Sequence, residues 1–343
     1  MDDARWMSAA LALASRGRGR TAPNPNVGCV IVADRKVVGR GWTQPGGRPH
    51  AEAMALAQAG EKSRGATVYT TLEPCAHVSP RGPACADLLI LSNVARVVVA
   101  VGDPDTRTDG TGIARLRAAG IAVELGTKEA AARAAMAGFL TRLALGRPHV
   151  TLKIALSLDG AMAMDSGASK WITGPEARAH AHLERARHEA ILVGRGTIEA
   201  DAPALDVRLD GLADRAPRRI ILSHTPAFTP ADVAAGTWEN VAAPTAIADL
   251  DGVDHVLIEG GPATAAAFLA EDLVDRLLLY RAPILVGGGR VLPAIGLTDL
   301  ADAHGRWALT DARTLGSDRL EVYERVRGRV RTRTAAAPPG ARG

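Results

Sequence analysis

Three residues with soft ligand atoms, His50, Cys75 and Cys85, follow one another within a single stretch of the sequence. One imidazole and two thiolates are suitable protein ligands for zinc, and three ligands leave a fourth position open, as in catalytic zinc sites. Glu52 follows His50 by two residues, so its carboxylate can reach water in the open position without binding the metal. The stretch therefore predicts a zinc ion that has an open position beside a free carboxylate.

The chemistry of such a site follows from these residue types. Zinc lowers the pKa of water to about 7 and supplies hydroxide at neutral pH. Glu52 would carry a proton from that water to a ring nitrogen and then to leaving ammonia. His-x-Glu followed by Pro-Cys and a further Cys is typical of zinc-dependent nucleobase deaminases. Cys85 opens a predicted helix, whose dipole favours a thiolate at that end.

Two other interpretations of the same residues agree less well with the sequence. The His and the two Cys could be ordinary buried side chains, but their order, the intervening Glu52 and Pro74 before Cys75 agree together. A purely structural zinc site would leave Glu52 without a task. The cysteines are ten positions apart, because a loop over 76–84 lies between them, and its prolines and glycine exclude a helix.

Length and composition favour a two-domain globular protein. The chain has 343 residues, enough for two sizeable cores. No apolar run approaches the roughly 18 residues of a membrane span, and residues 1–15 do not resemble a signal peptide. Of three cysteines, two are assigned to metal and Cys29 to the core, which argues against disulfides and fits a reducing cytoplasm.

The net charge of +4 comes from one end of the chain. Residues 325–343 contain six Arg and no acid, so the remainder sums to 4 − 6 = −2. We interpret residues 326–343 as a basic, disordered tail rather than as an RNA-binding arm. The alternative, an RNA-binding base-editing module, would show an affinity that falls steeply with salt.

Apolar residues at helical and strand spacing alternate through the first half of the chain. Strands joined by helices indicate an α/β domain with a mostly parallel sheet, whose ligands bind at the carboxyl ends of the strands. We predict helices over 3–15, from 50 onward, 85–91, 112–119 and 128–145, and strands over 27–32, 36–41, 66–71, 96–101 and 121–125.

A break at 146–148 separates the two predicted domains, residues 1–146 and 149–325. In the second domain, the segments 190–197 and 255–262 each combine a strand, glycines and the start of a helix. Glycine lets the backbone approach a phosphate at a helix start, but neither segment has the three spaced glycines of a dinucleotide-binding Rossmann fold. The histidines at 180, 182 and 188 are predicted on one long helix, with packing or solvated roles rather than metal binding.

Motifs in both halves carry a family resemblance, which covers about residues 1–325. The chain resembles the bifunctional deaminase–reductases of riboflavin biosynthesis. The motifs are TAPNPNVG at 21–28, PHAE at 49–52 and TLEPCAH at 71–77 in the first half, and LKIALSLDG at 152–160, SKWITG at 169–174, ILVG at 191–194, DAPAL at 201–205 and EGG at 259–261 in the second.

The resemblance implies a fold and two activities. The N-terminal domain would be a three-layer cytidine-deaminase-like domain that hydrolyses the 2-amino group of 2,5-diamino-6-ribosylamino-4(3H)-pyrimidinone 5′-phosphate. The C-terminal domain would be a dihydrofolate-reductase-like α/β domain that uses NADPH to reduce the ribosyl group to ribityl, giving 5-amino-6-ribitylaminouracil 5′-phosphate. The implied cofactors are Zn²⁺ and NADPH.

Family positions transfer to individual residues of this chain. The catalytic residues would be Glu52 and Lys153, and the zinc ligands His50, Cys75 and Cys85. Ala155, Trp171, Thr197, Asp201 and Gly261 match NADPH positions, and Asn24, His77, Ser169, Arg185, Leu205, Arg208 and Glu259 match substrate positions. Arginines suit a sugar phosphate, and glycines at a helix start suit a pyrophosphate.

One departure from the family affects the reductase half. The segment between Ile220 and Glu259 is roughly thirty residues shorter than is usual in the family, enough for a strand–helix–strand piece. We interpret this as loss of part of the cofactor-domain sheet, so the alternative function is a deaminase whose C-terminal domain no longer reduces. The expected partner is the small pyrimidine ribosyl phosphate; we expect no nucleic acid, no membrane and a homo-oligomer.

Overall fold

The computed structural model describes residues 2–77, 80–201, 203–225 and 238–327, without the side chain of Asp201. These residues form two sheets, one on each side of the predicted boundary. The strands of the first sheet are β1 (Gly28–Ala33), β2 (Lys36–Trp42), β3 (Thr67–Thr70), β4 (Arg96–Val99) and β5 (Ala122–Leu125). The helices around it are α1 (Asp3–Ala14), α2 (Ala51–Ala59), α3 (Cys85–Leu91), α4 (Thr111–Ala118), α5 (Glu129–Ala135) and α6 (Ala137–Leu145).

The first sheet is mixed rather than mostly parallel. Its strand order is β2-β1-β3-β4-β5, and β1 is antiparallel to both β2 and β3, whereas β3, β4 and β5 are parallel. The predicted hairpin explains the difference, because Asp34 and Arg35 both have positive φ and form a tight turn between β1 and β2. The parallel part still brings the carboxyl ends of β3 and β4 to one edge, where the predicted ligands lie.

Helices cover both faces of this sheet, as a three-layer domain requires. A Cβ on Gly28 would lie 1.9 Å from the Ala10 carbonyl oxygen of α1, and one on Gly41 would lie 2.1 Å from the Ala51 oxygen of α2. Because Gly28 pairs with Trp42, these two glycines face opposite sides of the sheet. The missing side chains let α1 and α2 lie close against β1 and β2. Cys29 is fully buried between the layers, as predicted.

The second sheet has eight strands in the order β12-β13-β11-β6-β10-β7-β8-β9. The strands from β11 to β9 are parallel, and β12, β13 and β11 are antiparallel neighbours. The strand bounds are β6 (His149–Leu156), β7 (Ala190–Gly194), β8 (Arg218–Leu222), β9 (Trp238–Val241), β10 (His255–Ile258), β11 (Arg276–Arg281), β12 (Trp307–Leu315) and β13 (Asp318–Arg325). The helices are α7 (Pro175–Arg185), α8 (Arg195–Asp201) and α9 (Pro262–Ala270).

Two predicted helices differ from the structure. The single helix expected over 128–145 is divided into α5 and α6, because Met136 leaves helical geometry at φ −105° and ψ 22°. The long helix expected to carry three histidines ends at Arg185, so His188 lies in the turn beyond it. The imidazole of His188 is buried there, with Nδ1 2.6 Å from the Glu184 carbonyl oxygen.

The shortened segment still contributes to the sheet. β8 and β9 pair in parallel at its edge, and the residues between them, 226–237, lie outside the described part of the chain. Loss of part of the sheet therefore stays a prediction.

The predicted tail, residues 326–343, begins with an ordered residue. Arg327 is held by Asp272 and Asp275 at 2.8 and 3.1 Å. Residues 328–343 are outside the described residues.

Buried polar groups join the two domains. The backbone N–H of Gly138 in α6 donates to Nε2 of His255 in β10, at 3.1 Å. Arg147 in the linker forms two hydrogen bonds with Asp275, at 2.6 and 2.9 Å. His149, predicted as a boundary residue, is buried here, and its ring lies 6.0 Å from that of His255. One of these contacts, the hydrogen bond from Gly138 to His255, requires a neutral imidazole, and the buried Nδ1 of His149 has no hydrogen-bond partner among the described residues.

This interface predicts an acid-sensitive fold. Burial lowers the pKa of His149 to about 3, so between pH 6.5 and 3 the unfolded chain binds a proton that the folded chain lacks. The contribution of His149 to stability is complete above pH 6.5 and is lost as the pH falls. Replacing His149→Gln should make the decline in unfolding free energy from pH 6.5 to 5 smaller by about 2 kcal/mol. Urea unfolding at several pH values measures this, and an unchanged decline would contradict it.

Within the described ranges of the chain, no helix combines the length and the hydrophobicity that a membrane-spanning helix needs.

Candidate active sites

The three predicted zinc ligands meet at the start of two helices. His50 caps α2 and Cys85 begins α3, while Cys75 lies in the loop after β3. His50 Nδ1 lies 3.3 Å from Cys85 Sγ and 3.5 Å from Cys75 Sγ. Tetrahedral zinc with ordinary bond lengths separates a nitrogen and a sulfur ligand by about 3.6 Å. The donor set and its spacing therefore fit zinc.

The ionisation of the Cys75 and Cys85 thiols also fits a site that binds a cation. A hydrogen bond from the Cys85 thiol, with His50 and the Cys85 backbone N–H, lowers the pKa of Cys75 to about 4. The same hydrogen bond, together with burial, raises the pKa of Cys85 well above its usual value. One negative charge is thus shared by the pair, and a second thiolate requires a neighbouring cation. Of the described residues, this is the one His/Cys/Asp/Glu group whose ligand atoms could hold a metal ion.

Glu52 lies in the first turn of α2, two residues after His50, which is the N-cap of that helix. Its side chain is buried, and its Oε1 accepts a hydrogen bond from the Thr70 hydroxyl at 3.4 Å. Burial raises the pKa of this carboxyl, and His50 partly offsets the effect. The residue is therefore beside the ligands, not among them, as the sequence pattern predicted.

Two further predicted residues lie around this centre. Asn24 Nδ2 lies 3.0 Å from His50 Nε2 and donates to the Gly47 carbonyl oxygen at 3.2 Å. His77 Nδ1 lies 3.5 Å from the Thr108 hydroxyl. Asn24 thus touches the outer nitrogen of a zinc ligand, and the orientation of its amide decides whether that nitrogen donates or accepts.

Sequence reasoning missed the role of Glu73. Its buried carboxylate accepts backbone hydrogen bonds from Asp103, Gly110 and Ile113, at 3.1, 3.1 and 3.0 Å. These bonds fix the loop after β4 against the Pro74–Cys75 turn. The available signal was a charged residue three positions after a buried strand, which needs partners that the sequence does not reveal.

This network predicts a large stability effect for a small change. In a Glu73→Gln variant the amide oxygen can keep the Asp103 and Gly110 donors, but the amide nitrogen then faces the Ile113 N–H. The loss of a charge-assisted acceptor should lower the unfolding free energy by about 2 kcal/mol. Urea unfolding of the variant against the parent measures it. The exposed Glu61→Gln change should stay within about 0.5 kcal/mol, and equal effects of both would refute the assignment.

The reductase half contains a cleft of about 1130 Å³. It lies over the carboxyl ends of β6, β7 and β10, as expected for parallel strands. Ten of the predicted reductase residues line it: Lys153, Ala155, Ser169, Trp171, Arg185, Thr197, Leu205, Arg208, Glu259 and Gly261. Asp201 ends α8, and its side chain is outside the described part of the structure.

An ion pair forms one wall of the cleft. Arg185 Nε and Nη2 donate to the Glu259 carboxylate at 2.7 and 3.0 Å, and Lys153 Nζ lies 3.9 Å from it. Burial would raise the pKa of Glu259, but Arg185 and Lys153 hold it below its usual value. Arg185 donates from Nε, Nη1 and Nη2, whereas the exposed Arg208 donates from Nε alone, to Asp206 at 3.0 and 3.1 Å. Arg208 therefore has more N–H groups left for a phosphate.

Residues of α7 also hold the loop that carries Leu205 and Arg208. Arg185 Nη1 donates to the Asp206 carbonyl oxygen at 3.0 Å, and His182 Nδ1 lies 3.1 Å from the same oxygen. Leu205 is buried with φ +51°, a conformation that side chains rarely adopt. His182, which was predicted to pack or be solvated, packs against this loop at the edge of the cleft.

The other side of the cleft suits a dinucleotide phosphate. Gly196 has open space where a Cβ would stand, and at Gly261 the Thr197 hydroxyl, at 3.8 Å, is the nearest atom. Gly261 is the N-cap of α9, so helix N–H groups face the same space. On Gly260, a Cβ would overlap Thr264, at 2.5 Å. At Gly196 and Gly261 no side chain separates the backbone from the cleft, while Gly260 lets the chain pack against Thr264. An exposed backbone of this kind fits the pyrophosphate of NADPH.

Comparisons with known proteins agree in both halves. The family described as RibD C-terminal domain matches residues 148–320, and the cytidine and deoxycytidylate deaminase zinc-binding region matches residues 1–101. The riboflavin biosynthesis protein RibD of Escherichia coli K12 is 40% identical over 93% of this chain and 98% of its own. That of Aquifex aeolicus is 38% identical over 88% and 92%.

Two solved structures match almost the whole chain. Acinetobacter baumannii RibD is 38% identical, covers 95% of this chain and 99% of its own, and gives a TM-score of 0.84. A Thermotoga maritima protein, described as a diaminohydroxyphosphoribosylaminopyrimidine deaminase/5-amino-6-(5-phosphoribosylamino)uracil reductase, is 31% identical over 94% and 99%, with a TM-score of 0.85.

Fold and sites together define a zinc-dependent deaminase joined to an α/β reductase. The first domain is cytidine-deaminase-like, and the second is a RibD-type reductase domain that uses NADPH. The chain belongs to the RibD family of riboflavin biosynthesis proteins. It is a bifunctional enzyme of that pathway.

Proposed function

We propose that the deaminase domain acts on 2,5-diamino-6-ribosylamino-4(3H)-pyrimidinone 5′-phosphate. The reductase domain then converts the ribosyl group of the deaminated product to ribityl, giving 5-amino-6-ribitylaminouracil 5′-phosphate. The observation that carries the proposal is the presence, in one chain, of a His/Cys/Cys centre with a buried Glu52 and a cleft with a bare glycine backbone. The T. maritima relative is described with both activities.

In the deaminase site, each residue has a defined task. When bound, zinc acidifies water to a pKa of about 7 and so supplies a nucleophile at neutral pH. His50, Cys75 and Cys85 hold the metal. Glu52 accepts a proton from the attacking water and gives it to a ring nitrogen. It then takes the hydroxyl proton of the tetrahedral adduct and gives it to the amino group, which leaves as ammonia while the ring carbonyl forms. Asn24 and His77 hold the substrate beside these groups.

In the reductase cleft, the two ligands occupy different walls. NADPH, when bound, supplies a hydride to the sugar carbon. Its proposed contacts are Ala155, Trp171, Thr197, Asp201 and Gly261. Lys153 lies where it can donate a hydrogen bond or a proton to the sugar, so we assign it a catalytic role. The proposed substrate contacts are Ser169, Arg185, Leu205, Arg208 and Glu259, with Arg208 binding the phosphate.

Mass spectrometry of the products tests this function directly. The purified chain, given the diaminopyrimidine substrate, should release the deaminated product without NADPH and the ribityl product with it. Substrate recovered unchanged in the presence of zinc would refute the deaminase assignment. The mass of the final product identifies the reduced bond.

The second candidate function is a deaminase whose C-terminal domain no longer reduces. The observation that favours it is the shortened segment, where the described part of the sheet ends at the four-residue strand β9. NADPH oxidation measured with the deaminated product separates the two functions. Intact ammonia release with no NADPH oxidation at all would establish this alternative.

We also propose that the enzyme is a cytoplasmic homo-oligomer. Apolar side chains between β11 and β12 lie on the surface, with Leu285 75%, Val291 54% and Leu300 76% exposed. A second copy of the chain would cover them. The thiolates of Cys75 and Cys85 persist in a reducing compartment. Light scattering after gel filtration, with Leu285→Asp against the parent, should show dissociation of the variant, whereas a monomeric parent would exclude the oligomer.

A further inference from the structure

Residues 16–20 of the deaminase domain, here called the docking segment, lie against the end of α7 in the reductase domain. A Cβ on Gly19 would come within 2.7 Å of the Arg187 carbonyl carbon and 2.8 Å of the His188 nitrogen. The Arg16 carbonyl oxygen accepts a hydrogen bond from Arg215 Nη1 at 3.3 Å. The backbone of Gly19 is thus in contact with the backbone of Arg187 and His188, just beyond α7. This contact restricts movement of the end of α7 relative to the deaminase domain.

Arg18 extends from the docking segment into this contact. Its Nε is buried without a hydrogen-bond partner among the described residues. Of the opposite charges that act on its guanidinium, Glu184 in the last turn of α7 has the strongest effect. The Glu184 side chain is 2% exposed and is bound directly by Arg276 at 3.0 Å and by Arg187 at 3.3 Å, and Arg187 is the residue whose backbone meets Gly19. Burial alone would raise the pKa of Glu184, but Arg276 and Arg18 hold it well below its usual value. Arg18 is therefore part of the charge balance that lets Glu184 stay buried and ionised.

The residue after Glu184 belongs to the reductase cleft. Arg185 holds Glu259 by two hydrogen bonds and holds the Asp206 carbonyl oxygen by a third. His182, also on α7, contacts the same oxygen. The proposed substrate wall thus depends on how the end of α7 is placed. Of the proposed cofactor contacts, Thr197, Asp201 and Gly261 lie on α8 or at the start of α9 and Ala155 lies on β6, while Trp171 stacks with Arg178 near the other end of α7. A change at the end of α7 should consequently affect the substrate more than NADPH.

We propose that Arg18, a residue of the deaminase domain, is a positioning residue for the substrate subsite of the reductase. It balances the charge of Glu184, fixes the last turn of α7, and so sets Arg185 and the Asp206 loop. This inference rests on the proposed function of the cleft. The deaminase domain is then a structural part of the second active site, and not an independent neighbour.

Substrate affinity in an Arg18→Met variant tests the inference, because methionine keeps much of the length and removes the charge. Calorimetry measures binding of the deaminated pyrimidine ribosyl phosphate to the full chain without NADPH. We expect the Kd, and the KM for reduction, to rise about tenfold. The Kd for NADPH, measured by fluorescence, and the rate of ammonia release should stay within twofold of the parent.

Arg20→Met is the matched control. Arg20 is in the same docking segment and also crosses the interface, pairing with Asp214 at 3.3 Å, but that pair is exposed. It should leave the substrate Kd unchanged. Arg18→Lys, which restores the charge, should recover part of the affinity. Glu184→Gln should weaken substrate binding as Arg18→Met does, and the double variant should lose less than the sum.

Three results would overturn the inference: an unchanged substrate Kd in Arg18→Met, an equal loss of NADPH affinity, or the same effect in Arg20→Met. If Arg18→Met does not fold, Arg18→Lys and Glu184→Gln decide the question by the same Kd comparison. A parent enzyme that binds the deaminated compound but does not oxidise NADPH would refute the proposed reduction. The comparison of substrate Kd values would still decide the role of Arg18.

Discussion

A Glu52→Gln variant should lose ammonia release by about 10⁴-fold while it keeps one zinc per chain. The amide has nearly the shape of the carboxylate, so His50, Cys75 and Cys85 remain free to bind the metal. It cannot accept a proton from water or pass one on, which removes the task that we assign to Glu52. Single-turnover ammonia release and metal analysis of the same preparation give both quantities.

The matched control for Glu52 is an acid on the same side of the domain that is remote from the ligands. Glu61→Gln, at an exposed position after α2, should keep full ammonia release. Reduction of the deaminated product should also be unchanged in the Glu52 variant, because its reductase cleft is untouched. Turnover within tenfold of the parent would exclude Glu52 as the proton carrier.

A Lys153→Ala variant should show the opposite pattern, with reduction lowered by about 10³-fold and deamination spared. Lys153 lies on β6 inside the cleft, and alanine removes the ammonium that faces the sugar in our proposal. It also removes one of the two cations that hold Glu259 ionised, but the Arg185 pair remains. NADPH oxidation with the deaminated product measures the loss.

Two comparisons separate chemistry from binding at Lys153. The Kd for NADPH should change by less than threefold, because Ala155 is the one proposed cofactor contact on the same strand, and the Lys153→Ala change leaves the backbone of β6 in place. Lys153→Arg keeps a cation but changes its proton-transfer ability, so it should restore binding of the substrate more than turnover. If deamination fell as much as reduction in Lys153→Ala, the division of labour between the two domains would be wrong.

The deaminase centre could be predicted because its chemistry is local. The types and order of His50, Glu52, Cys75 and Cys85 restrict the possible roles, and each lies next to a helix start or a strand end that the hydrophobic pattern reveals. The elements of the first domain were also predicted, except where tertiary contacts decide, whereas β9, β11, β12 and β13 of the second sheet were not. The break at Met136 and the end of α7 at Arg185 have no strong sequence signal, because neither position contains glycine or proline.

The long-range contacts that hold the residues of both sites in place could not be predicted from the sequence. Glu73 depends on three backbone donors from a loop 30 to 40 positions away, and the pair of Arg185 with Glu259 spans 74 positions. No spacing rule covers such distances. The resemblance named Arg185 and Glu259 as substrate residues, but the structure shows that they first bind each other. Whether these two side chains can also bind a ligand therefore depends on the folded structure and cannot be inferred from the sequence.

The contact between Gly138 and His255 limits which domains of related enzymes can be combined in one chain. A methyl group on Gly138 would stand 2.3 Å from the imidazole Cε1, so any other residue there would push the halves apart. A chimera that joins this reductase half to the deaminase half of a relative would need glycine at the equivalent place, or a smaller group in place of the imidazole. Recombination between relatives is therefore restricted at a site far from either reaction.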